Sequence, residues 1–146
     1  MRLYVAVTDN DWFAFHASKA QVDEVNFWRP SPEPTFKVLQ PGELLLFKLK
    51  APYDSIAGGG FFTRFLQMPI NMAWETFGEA NGFESLPEFR ARIADIRSVT
   101  IGPAGNPTIG CIMLAEPFFW PKSDWFPRPP EFALSIQAGK TFDAEE

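Results

Sequence analysis

One cysteine and one histidine in 146 residues leave little room for the commonest catalytic and metal chemistry. A zinc site needs several Cys and His side chains close together, and one of each does not make one. Cys111, alone, excludes an internal disulfide, and nothing in its surroundings points to an oxidising compartment. His16 has no Ser or Cys partner at a recognisable spacing, so it reads as a structural residue on a helix. No apolar run approaches the length of a membrane span, and Met1–Val7 is too short before polar residues to be a signal peptide. The chain therefore reads as soluble and cytoplasmic. It also lacks positive charge: the formal net charge is −5, so any contact with nucleic acid must come from a local basic strip or a neighbouring domain. The adjacent acids Asp9/Asp11 and Asp23/Glu24 read as helix caps and solvated turns, not metal ligands. No metal or cofactor is expected, and the chain alone is not expected to be an enzyme.

What is abundant is aromatic surface. Sixteen Phe and 5 Trp, within an aromatic content of 16%, exceed what a core of this size usually takes, so some rings should line a pocket or a contact surface. The chain is organised around Gly58-Gly59-Gly60, followed by the alternating run Phe61–Phe65. Three glycines in a strand pattern mark a bend or a close approach by another backbone or a ligand. They lack the Lys-Ser/Thr of a phosphate-binding loop. The preceding run Gly42–Lys50 is the strongest strand in the sequence, and the two read as neighbours in a curved sheet.

In chain order, Leu3–Thr8 is a strand, and residues 8–11 offer helix N-caps before a short helix whose Trp12 and Phe15, with Phe13 a further candidate, should face the sheet. Val25–Arg29 is a short extended piece halted by Pro30, Pro32 and Pro34. Pro69 opens a helix carrying Ile70, Met72, Ala73, Trp74 and Phe77. Ser85-Leu86-Pro87-Glu88 starts another, whose apolar side is Phe89, Ile93 and Ile96. Thr108–Glu116 is a buried-type strand, and residues 121–130 are proline-rich and irregular. This order implies an α+β fold: a bent, mostly antiparallel sheet or open barrel flanked by about three helices. One domain spans residues 1–142, with residues 143–146 a tail or the start of a linker.

The binding chemistry concentrates in Asn26-Phe27-Trp28-Arg29, an amide, two rings and a guanidinium beside a proline-constrained loop. An amide can read a base edge and a ring can stack on its face, although strand alternation sends one of the two rings into the core. Arg64, Lys48 and Lys50 are candidates for the local basic strip, or are solvated charges on the sheet face.

Several runs together resemble a known family. Leu3–Phe13, Glu24–Pro30, Leu39–Glu43, Gly58–Phe62 and Ile109–Leu114 look like the domain that precedes HNH nucleases in bacterial modification-dependent restriction endonucleases. The wider pattern is similar to the PUA-like superfamily, with its EVE, YTH, ASCH and SRA domains. The resemblance implies a bent barrel whose pocket accepts a modified base flipped from double-stranded DNA, with a nuclease domain following in the chain. It places the pocket among Asp9, Asn10, Trp12, Asn26, Trp28, Gly59, Gly60 and Phe62. Asp9 or Asn26 would then meet the base edge, Trp12 and Trp28 would stack, and Arg29, Lys48 and Arg64 would contact phosphate. The alternative is a small-molecule or protein-interaction module using the same aromatic pocket.

Overall fold

The computed structural model describes residues 2–132 and 138–143. Seven strands form one sheet, in the order β2-β5-β4-β3-β1-β7, with the two-residue β6 pairing to β4. The strands are β1 (Arg2–Thr8), β2 (Glu24–Arg29), β3 (Leu44–Leu49), β4 (Ser55–Pro69), β5 (Thr108–Phe119), β6 (Phe126–Pro127) and β7 (Gly139–Asp143). Every pairing is antiparallel except β1 with β3, where Leu3 faces Leu44 and Thr8 faces Leu49. Three α-helices complete the described fold: α1 (Asn10–Ala17), α2 (Ile70–Phe77) and α3 (Leu86–Arg97). The expected α+β architecture, a mostly antiparallel open sheet with three helices, is the one observed.

The long strands β4 and β5 are the axis of the sheet, and the glycines set how they bend. A Cβ on Gly58 would lie 2.2 Å from the Phe118 carbonyl oxygen, and one on Gly59 would lie 2.5 Å from that of Leu45. Only hydrogen at these Cα atoms lets β3, β4 and β5 come this close. The register of β4 against β5 shifts twice, between Gly59 and Phe61 and between Phe62 and Arg64, as bulges that sharpen local twist do.

Helix α1 starts where Asp9 caps it, its carboxylate accepting from Asp11 N at 3.2 Å. Trp12, Phe13 and His16 are its buried residues. Phe15, expected to face the sheet, is instead half-exposed beneath the Lys19 ammonium, because the helical period turns that position away. Pro69 ends β4 and stands just before α2 as its N-cap. Ser85 caps α3 as its sequence signature implied. The main core combines Tyr4, Trp12, Phe13, Val25, Phe36, Leu45, Phe47, Phe62 and Leu114. A second core beneath α2 and α3 holds Ile70, Phe89, Ile93, Ile109 and Met113. Residue 143, assigned from sequence to the tail, is paired with Arg2 in β7; the rest of that segment, 144–146, lies outside the described residues.

Candidate functional site

A cavity of about 480 Å³ opens between β1, β2, the start of α1 and the last turns of α3. Its apolar wall is aromatic: Tyr4 from β1, Trp12 from α1, and Phe27 and Trp28 from β2. Phe27 and Trp28 both reach it although strand alternation points them to opposite sides of β2. They can do so because β2 is an edge strand, and the cavity wraps its exposed end at Arg29 and Pro30. The proline-rich loop contributes Ser31, Glu33 and Pro34, and α3 contributes Arg92 and Ile96.

Three cations and two carboxylates also line the space: Arg29, Lys50 and Arg92 against Asp9 and Glu33. Arg92 is committed. Its Nε and Nη2 both reach Asp9 Oδ2 at 3.1 Å, and its Nη1 reaches Asp95 at 3.2 Å. Arg29 donates to the Pro34 carbonyl at 3.0 Å and lies over the Phe36 ring, while Lys50 is exposed. Neither has a carboxylate partner among the described residues. Burial raises the pKa of the Tyr4 hydroxyl, and the neighbouring Arg29 opposes part of that rise.

Of the residues singled out from sequence, the fold brings Asp9, Trp12, Trp28 and Arg29 together on this cavity. Asn10 stands beside it as a brace: its Oδ1 accepts from Lys50 N at 2.9 Å and its amide donates to Ala51 O at 3.1 Å. Asn26 lies outside. It is fully buried, its amide donates to Asn81 Oδ1 at 2.8 Å, and its Oδ1 finds no partner among the described residues. Gly59, Gly60 and Phe62 also lie outside, the glycines against neighbouring strands and Phe62 in the main core. Lys48 is turned away into a largely buried ion pair with Asp54 at 3.0 Å, over the Phe132 ring. Arg64 is exposed on β4 but does not line the cavity.

The sequence reading missed Tyr4, Lys50 as a wall residue, Glu33 and Arg92. Arg92 comes from α3, 83 residues from the Asp9 it meets, and no local pattern announces such a pairing. The remaining polar groups are unpromising for chemistry. Burial pushes the Cys111 thiol up to about 11 and holds His16 down to about 4. Among the described residues, no three His, Cys, Asp or Glu side chains stand close enough to share a metal ion.

No protein-family model matches the chain, and no curated protein does. Solved structures do match. The ASCH protein from Zymomonas mobilis aligns with 78% of this chain and 67% of its own, at a TM-score of 0.52 and 13% identity. A point mutant of the same protein aligns with 80% and 75%, at a TM-score of 0.52 and 11% identity. The fold of this chain is similar to theirs. At such identity the likeness extends to the fold alone, and the cavity is defined by this chain's own residues.

Proposed function

We propose that this PUA-like chain is a nucleic-acid recognition module that takes an unstacked base into the aromatic cavity. The base is a modified one flipped from double-stranded DNA, and an HNH-type nuclease domain joined to this one cuts the strand. The observation that carries the reading is the pairing, in one cavity, of Trp12, Phe27 and Trp28 with two cations, Arg29 and Lys50, that no described carboxylate neutralises. Rings supply the stacking surface that every base offers, worth about 1–3 kcal/mol per base. The cations meet the phosphates on either side of the extruded nucleotide. Asp9 supplies an acceptor for an exocyclic amino group. Its Oδ2 is occupied by Arg92, but its Oδ1 accepts only the Asp11 amide and keeps a lone pair.

The test is binding to short duplexes of one sequence carrying unmodified bases, 5-methylcytosine, 5-hydroxymethylcytosine or N6-methyladenine. Preference for one modified duplex is expected. Arg29→Ala and Lys50→Ala should each weaken all the duplexes about tenfold while leaving the order of preference unchanged, as phosphate contacts do. Equal and negligible binding to all four would overturn the reading in favour of a small-molecule or protein-interaction module.

A further inference from the structure

The two indoles of the cavity come from different elements, yet each rests on one of two consecutive residues, Asn81 and Gly82, neither of which lines the cavity. Trp28 Nε1 donates to the Asn81 carbonyl at 2.9 Å. Gly82 follows directly, with φ +96°, and a Cβ there would come within 2.3 Å of Trp12 Cδ1 and 2.9 Å of its Nε1. The short 3-10 turn Gly78–Asn81 that carries this pair is itself locked. Asn81 is fully buried, and its amide donates to Ala73 O at 3.0 Å and Gly78 O at 2.8 Å. Its Oδ1 accepts from Asn26 at 2.8 Å. The turn cannot slide against α2 or β2 without stranding a buried polar group.

We infer that Asn81 and Gly82 are positioning residues for the cavity: they set where the Trp12 and Trp28 rings stand, and so which planar group fits beside them. The inference deepens the base-binding reading and rests on it for the identity of the ligand. The mechanism is steric at Gly82 and hydrogen-bonded at Asn81. It also accounts for the burial of Asn26, whose amide anchors the turn and is not available to read a base edge.

The experiment compares Gly82→Ala with Gly42→Ala. Both glycines have positive φ, +96° and +90°, so both substitutions strain the backbone. A Cβ on Gly42 meets nothing within 4 Å, and that residue lies outside both the turn and the cavity lining, whereas a Cβ on Gly82 meets the Trp12 ring. Each variant is measured by near-ultraviolet circular dichroism of its tryptophans and by its dissociation constant for the duplex that the unsubstituted chain binds most tightly. Gly82→Ala should alter the tryptophan bands and weaken binding tenfold or more. Gly42→Ala should keep the bands and bind within twofold. Matching behaviour of the two variants in both readouts overturns the inference.

If the unsubstituted chain binds none of the four duplexes, the base-binding reading falls and positioning is decided by the tryptophan bands alone. An unchanged Gly82→Ala spectrum then overturns it. Should Gly82→Ala not fold, Trp12→Leu is added to it, since leucine can turn its methyls away from the new Cβ. Recovery of a folded spectrum supports the contact as the cause, and no recovery overturns it.

Discussion

His16 carries the clearest pH signature among the side chains. It is buried against Trp12, Phe15 and Phe119, with Nε2 unpartnered among the described residues, and desolvation holds its pKa near 4 against an ordinary 6.5, with Lys19 adding a smaller push. Its folded pKa is depressed, so the unfolded chain binds the proton more readily. The resulting stability is fully present above pH 6.5 and is lost as pH falls toward 4. The shift corresponds to roughly 3 kcal/mol. Urea unfolding at pH 7 and pH 4.5 should show this loss, and His16→Phe should remove most of the difference. An equal loss in both proteins would assign the acid sensitivity elsewhere. Lys48 makes the opposite kind of case. Its ammonium is largely buried on Asp54, whose own side chain is 35% exposed, so solvent screens part of the pair. Lys48→Met should cost about 1–2 kcal/mol of stability and leave duplex binding unchanged. A loss of binding at unchanged stability would return Lys48 to the phosphate contacts expected from sequence.

Among the elements, β4 decides the shape of the sheet. It pairs with β3 along its first half and with β5 along nearly all its length, and this double duty requires backbone approaches that only glycine allows. Gly58→Ala places a methyl against the Phe118 carbonyl, a backbone atom that cannot rotate away. A cost of about 3 kcal/mol or more is expected, toward or beyond the upper end for overpacking, and is measurable as a fall in the urea midpoint. A loss under 1 kcal/mol would show that β5 yields and that the glycines are not what holds the bend. The 3-10 turn after α2 acts at the same scale, joining α1 and β2 through Gly82 and Asn81. Its glycines look in the sequence like a simple break between helices.

Over the whole molecule the charge is −5, which opposes any approach to DNA, so the binding proposed above would rest on a few cations at one mouth. The affinity for duplexes should fall steeply with salt, and its logarithmic slope should drop by about one in Lys50→Ala or Arg29→Ala, one phosphate contact each. A slope unaffected by either substitution would place the phosphate contacts on another face. An apolar ligand in the same cavity would show almost no salt dependence.

The sequence by itself determined the elements. Hydrophobic alternation and caps are local, so β1, β3, α1, α3 and the Gly58–Gly60 close approach could all be read from neighbouring residues. β7 could not, because an edge strand of Gly139–Asp143 has little pattern apart from its partner β1. The site divided along the same line. Trp28 and Arg29 were legible as a ring and a guanidinium beside a proline-constrained loop. Asp9 and Trp12, locally a cap and a sheet-facing ring, were assigned to a pocket only through the family resemblance. The sequestering of Asn26 by Asn81, the Arg92 that meets Asp9, and the turning of Lys48 to Asp54 depend on which faces of β2, β3 and α3 meet other elements. Periodicity says that a side chain leaves a strand or helix on one face. Only the packing of distant elements decides whether that face is core, cavity or water.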